Sequence, residues 1–73
     1  KERVKILYTA IDKLPENQKS AYILSKFEEL SYSEISNVMK ISIPAVESLL
    51  VRAKENLKKN LTNFYKKDRR FLK

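Results

Sequence analysis

Histidine, cysteine and glycine are all missing from the 73 residues. Without imidazole, metal sites and nucleophile–base pairs built on histidine are excluded. Without cysteine there is no disulfide frame and no thiolate metal site, which fits a reducing compartment. Without glycine, P-loops and dinucleotide fingerprints are excluded, because both need glycine where the backbone closes on phosphate. The carboxylates Glu28 and Glu29 adjoin, but neighbours in a helix do not face each other and make no acid–base pair. The expectation is therefore a protein that is not an enzyme, with no cofactor and no metal.

Other absences bound the fold. The longest apolar runs are a few residues, far below the ~20 that cross a bilayer, so no membrane insertion and no signal peptide are expected. No stretch alternates apolar and polar residues with β-branched enrichment, so strands are not expected. Internal repeats and low-complexity segments are lacking too. The chain does not begin with methionine, which leads us to expect a piece of a longer protein with a further domain on its N-terminal side.

What is present is charge and helical periodicity. Net charge is +7, spread unevenly. Residues 1–30 hold six basic against five acidic side chains; residues 31–73 hold ten against four. A basic half of this kind points first to nucleic acid and second to an anionic membrane; the plain alternative is that the lysines only keep a small domain soluble. At 42% hydrophobic, the chain can build one modest core but not a buried catalytic cavity.

Taken in order, residues 1–13 read as a helix with Val4, Leu7, Ile11 and Leu14 as its apolar stripe and Ile6 and Tyr8 widening it. Leu14-Pro15 ends it, since the residue before proline is pushed out of the α region. Pro15 suits the first turn of a second helix over 16–28, with Ala21, Leu24 and Phe27 inward. Ser31 and Glu34 form a Ser-x-x-Glu capping box that opens a third helix over about 32–39. Ile35, Val38 and Met39 make its stripe. Lys40 to Ser42 form a turn, with Ile41 as a buried plug. Ser42 caps a fourth helix that starts near Ile43, carries Pro44 in its first turn and runs to about Lys66. Its inner face is Val46, Leu49, Leu50, Ala53 and Leu57, prolonged by Leu61 and Phe64. The tail 67–73 is basic and is expected to fray.

The predicted fold is thus all-α, a four-helix domain over 1–66 with a winged-helix-like three-helix core, no wing and a long last helix. Its centre, 31–52, is two short amphipathic helices joined by a tight turn, which describes a helix-turn-helix. The second helix of that motif usually enters the DNA major groove.

Several groups of residues stand in one order and spacing: Leu14-Pro15-x-x-Gln18-Lys19, Tyr22-Ile23-Leu24, Leu30-Ser31-Tyr32-x-Glu34-Ile35-Ser36, Ile41-Ser42-x-x-Ala45-Val46-x-Ser48 and Arg52-Ala53-Lys54-x-x-Leu57. Together they resemble the C-terminal DNA-binding region (region 4) of bacterial sigma-70 family sigma factors, and most of all the extracytoplasmic-function (ECF) group. The match covers roughly Ile11 to Leu57. The resemblance implies a cytoplasmic bacterial protein that holds the upstream (−35) promoter element through its last helix. It also implies packing against the β flap of RNA polymerase and control by an anti-sigma factor. The family often has glycine where this chain has Glu29 and Lys40. Positive φ at Lys40 would cost ~1 kcal/mol, and a slightly different turn would avoid it. The family also often has lysine at Glu47 and arginine at Leu49, so positive charge is lost from the helix that should face DNA.

On the fourth helix Ile43, Pro44, Ala45, Glu47, Ser48 and Val51 are the candidate base-facing residues near its N-terminal end. Ser48 can donate to or accept from several bases. Glu47 can accept from a cytosine amino group, and Ala45 or Val51 can touch a thymine methyl. The plain reading of Glu47 is a solvated charge pairing with Arg52 or Lys54. Leu49 reads as core, or else as an exposed contact. Ser31, Tyr32 and Ser42 cap helices, and the same N-termini offer N–H groups to phosphate. Arg52 and Lys54 are candidate phosphate clamps; Lys58 and Lys59 read as a solvated face. Tyr8, Tyr22, Ile23, Phe64 and Phe71 read as core, or else as a groove for a partner helix such as the flap. The alternatives are the helix-turn-helix domain of a LuxR or response-regulator-type transcription regulator, and a basic helical interaction module with no DNA role.

Overall fold

The computed structural model describes the backbone of residues 2–67 and the side chains of residues 4–63. Four helices follow one another: α1 (Glu2–Asp12), α2 (Glu16–Lys26), α3 (Tyr32–Met39) and α4 (Ile43–Lys67). No strand occurs among the described residues. The expected fraying of the tail and the placement of Phe71 lie outside the described residues, as does the side chain of Phe64.

α4 is the common spine, because α1, α2 and α3 all pack on it. Its inner face serves two apolar clusters in turn. Val46 and Leu50, in its first turns, join Ala21 and Ile35, with Leu24, Leu30, Met39, Ile41 and Leu49 packed around them. Ala53 and Leu57, further on, join Ala10, Ile11 and Leu14, with Leu7, Tyr22, Ile23 and Leu61 around them. Alanines stand in both clusters, and Ala10, Ala21 and Ala53 are fully buried. A methyl side chain lets helix axes approach closely, which a larger residue would prevent. Ile35 and Val46 are the largest fully buried side chains, each contributing about 1.5–3 kcal/mol by leaving water.

Two polar bonds fasten the spine from outside the core. Asn56 Nδ2 donates to Gln18 Oε1 of α2 at 2.7 Å, and Asn60 Nδ2 donates to the Ala10 carbonyl of α1 at 3.1 Å. Nearer the surface, Lys19 pairs with Asp12 at 3.2 Å across the α1–α2 connection.

The helix ends follow local chemistry. At α3 both halves of the capping box form: Ser31 Oγ accepts from the Glu34 N–H at 3.1 Å, and the Ser31 N–H donates to Glu34 Oε1 at 2.8 Å. Ser42 Oγ accepts from the Ala45 N–H at 3.2 Å and so caps α4. Pro15 stands one residue earlier than expected, at the N-cap of α2 with φ −54°, where its carbonyl accepts from the Lys19 N–H at 2.8 Å.

Several expected core positions are on the surface. Val4 is 51% exposed, because the inward face of α1 is Leu7, Ala10 and Ile11, continued by Leu14 just after the helix, and Val4 lies a turn before it. α2 ends at Lys26, two residues short of the expectation, and Phe27 serves as its C-cap. Freed from the stripe, the Phe27 ring meets Tyr8 with centroids 6.1 Å apart and planes tilted 42°. Both rings are about half exposed, so Tyr8 is not core, whereas Tyr22 and Ile23 pack on the α1–α4 cluster. Val38 is 59% exposed, since Ile35 and Met39 at i and i+4 already fill the inward face of the short α3.

The turns adopt the geometry that the absent glycines would favour. Glu29 has φ 58° and Lys40 φ 59°, both left-handed. The expected detour around positive φ does not occur, because hydrogen bonds on both sides fix the backbone there. The N–H groups of Lys40 and Ile41 both end on the Ser36 carbonyl, and the Leu30 N–H ends on the Leu24 carbonyl at 3.0 Å.

Candidate nucleic-acid interface

α3 and the first turns of α4 are locked by the capping box, the Lys40–Ser42 turn and the Val46–Leu50 cluster. That lock leaves the outer face of α4 unpartnered. Ser42, Ile43, Pro44, Glu47, Ser48, Val51, Arg52 and Lys54 are all exposed. Ser31 and Tyr32 are exposed at the start of α3. The structure therefore brings nearly every candidate contact to the surface of one motif. Ala45 is the exception: it is half-buried, because the α4 face carrying it begins to turn toward α3. Leu49 is half-buried too and packs on the Ile35 cluster, as its reading as core requires.

Glu47, Ser48, Val51, Arg52 and Glu55 line a shallow depression on this outer face. Among the described residues Glu47 makes no ion pair with Arg52 or Lys54. Helix geometry explains this. Partners at three or four residues meet on a helix surface, and for Glu47 those positions are Ile43, Pro44, Leu50 and Val51. Arg52 and Lys54 stand at five and seven. The paired-charge reading of Glu47 is thus not what the fold provides. Lys58 and Lys59 are exposed on the next turns, as a solvated face requires.

A second surface feature was missed by the periodicity of the sequence. Ser20, Ile23, Leu24, Val38 and Met39 line an apolar groove of about 420 Å³ between α2 and α3. The exposed Val38 is its outer lip. Gln18 was noticed only as part of a pattern; its bond to Asn56 gives that pattern a physical reason. No group of three or more metal-ligating side chains is gathered among the described residues.

Two capped helices joined by a tight turn, the second long and bare on its outer face, define a helix-turn-helix domain. Residues 5–57 match the family model described as Sigma-70, region 4. The chain is 40% identical over 57 residues to the RNA polymerase sigma factor YlaC of Bacillus subtilis, covering 78% of this chain and 33% of that protein. It is 38% identical over 55 residues to the RNA polymerase sigma-H factor of Pseudomonas aeruginosa, covering 75% and 28%. It is 33% identical over 60 residues to the ECF RNA polymerase sigma-E factor of Haemophilus influenzae, covering 82% and 32%. The chain belongs to the sigma-70 region 4 family and resembles the region 4 of ECF sigma factors. The regulator-type alternative is not favoured by these matches. The chain spans about a third of the length of these relatives.

Proposed function

We propose that this domain holds the −35 element of bacterial promoters as region 4 of an ECF sigma factor and so directs RNA polymerase to initiate transcription. The observation that carries the reading is the bare outer face of α4, set in a helix-turn-helix within the basic half of the chain. α4 enters the major groove by its N-terminal turns. Ile43, Pro44, Ala45, Glu47, Ser48 and Val51 meet base edges, with Ser48 at the centre because its hydroxyl both donates and accepts. Arg52 and Lys54 sit on phosphates, and the N-termini at Ser31, Tyr32 and Ser42 present N–H groups to the backbone of the duplex. The domain does this as a non-catalytic binding module.

Its protein partners follow from the same reading. The polymerase β flap packs on the apolar groove between α2 and α3, and an anti-sigma factor covers both surfaces when the protein is held inactive. Its place is the bacterial cytoplasm; no helix among the described residues is long and apolar enough to cross a membrane. The function is tested by fluorescence anisotropy of a labelled duplex pool against salt. The expected result is binding whose log affinity falls linearly with log salt, with a slope of about 0.9 per phosphate contact. Affinity that is absent at low salt, or insensitive to salt, refutes it.

A further inference from the structure

Glu47 is the anomaly of the outer face. Where this domain should meet a polyanion, it offers a carboxylate with no cation at helix-neighbour spacing. Its neighbours there are apolar, and two of them, Ile43 and Val51, are themselves 45% and 56% exposed. An ionised carboxylate only accepts hydrogen bonds. Pressed between apolar groups against a duplex, it loses water and gains repulsion unless a donor meets it.

The major groove offers two kinds of amino donor, cytosine N4 and adenine N6. Adenine places the acceptor N7 beside its amino group, so a carboxylate there gains one bond and faces one lone pair. Cytosine has only C5–H beside N4 and presents no such conflict. Guanine and thymine present no hydrogen-bond donor on their own edges. One turn along the helix, Val51 projects an apolar surface on the same side. Four residues of helix rise about 6 Å, close to two base steps of 3.4 Å. The thymine methyl is the apolar group in the groove.

We propose that Glu47 and Val51 set the base preference of this domain, Glu47 selecting a cytosine through its N4 amino group and Val51 a thymine methyl within about two base pairs. This rests on the DNA-binding role proposed above. Glu47 acts mainly by rejection: it makes every other base at its position worse, which supplies selectivity from a residue that lowers affinity.

The test is selection of the 73-residue chain on a randomised duplex library, for the wild type, Glu47→Ala, Glu47→Gln and Val51→Ala, with thermal melts to confirm folding. The wild type should enrich cytosine at one position by about tenfold. Glu47→Ala should lose that preference at that position only, and bind the mismatched duplexes more tightly. Glu47→Gln should move the preference toward adenine, whose N6 and N7 match a carboxamide; a merely solvated Glu47 predicts no such switch. Replacing the nearby thymine by uracil should weaken the wild type a few-fold and leave Val51→Ala unaffected. A sequence preference that survives unchanged in both Glu47 variants overturns the inference and leaves the DNA-binding role standing. No binding to any duplex overturns both.

Discussion

Ser36 and Ile41 are bonded to each other twice, once in each direction. The Ile41 N–H donates to the Ser36 carbonyl at 3.1 Å, and the Ser36 hydroxyl donates to the Ile41 carbonyl. This pair clamps the end of α3 to the turn that launches α4. Lys40 stands inside the clamp at φ 59°, ψ 46°. The angle between the two helices of the motif thus depends on a left-handed lysine that the clamp holds in place.

That arrangement makes the turn a site of stored backbone cost. A left-handed L-residue costs roughly 1–2 kcal/mol, of which glycine gives back about 0.5–1 through its freer unfolded chain. Lys40→Gly should therefore stabilise the domain by ~0.7 kcal/mol and raise Tm by a few degrees. Ser36→Ala should do the opposite, by about 1 kcal/mol, as the half-buried carbonyl of Ile41 loses a donor. Paired thermal melts check both; a lower Tm for Lys40→Gly would mean that the lysine side chain stabilises the turn by more than its φ costs.

Gln18 and Asn56 join α2 to α4 at 2.7 Å, partly buried and 38 residues apart. Removing either partner leaves a part-buried amide without this bond, so Gln18→Ala and Asn56→Ala should each cost about 1 kcal/mol. The double variant should cost clearly less than their sum, giving a coupling of ~1 kcal/mol in urea melts. Additive losses would show that each residue acts alone.

The residues that the sequence made legible are those ruled by local chemistry. The capping box at Ser31 and the cap at Ser42 depend on side chains bonding within three residues, the break at Leu14-Pro15 on the local sterics of proline, and the α3 boundaries fall as expected. The inner face of α4 was legible because a long helix averages its periodicity over many turns. What escaped depends on partners distant in sequence. Ala10, outside the expected stripe, is fully buried because α4 crosses there and Asn60 bonds its carbonyl, while Val4, on that stripe, is half exposed. Phe27 left its stripe because α2 stopped two residues early. The exposure of the candidate contacts was legible for all of them but Ala45, which is half-buried. The isolation of Glu47 was legible too, since Arg52 and Lys54 stand five and seven residues on, outside the three-or-four spacing at which helix side chains meet.

Arg52, proposed above as a phosphate clamp, offers a test that separates affinity from specificity. It is exposed, belongs to no ion pair among the described residues, and lies on the flank of the residues proposed to face bases. A phosphate clamp there should contribute equally to every duplex. Arg52→Ala should weaken binding evenly across a set of sequences and flatten the slope of log affinity against log salt by about one unit. Weakening confined to one sequence would move Arg52 from the phosphates to a base edge.

The groove between α2 and α3 allows the proposed flap contact to be tested without unfolding the domain. Ile23, Leu24 and Met39 pack on the core clusters, so polar changes there would disturb the fold. Val38 is the lip and is mostly exposed, so Val38→Glu should leave the melting temperature within about a degree. A helix laid into the groove would bury that carboxylate without a partner, at a cost of several kcal/mol. In an NMR titration with a β-flap fragment of bacterial RNA polymerase, the wild-type chain should show saturable shifts at Ser20, Ile23, Leu24 and Met39, and Val38→Glu should show none at the same concentration. Val46→Asp supplies the contrast, because it buries the same charge in the core and should unfold the domain outright. Flap shifts that persist in Val38→Glu, or that gather around Tyr8 and Phe27 instead, would place the polymerase on the aromatic pair of α1 and α2 and leave the groove unclaimed.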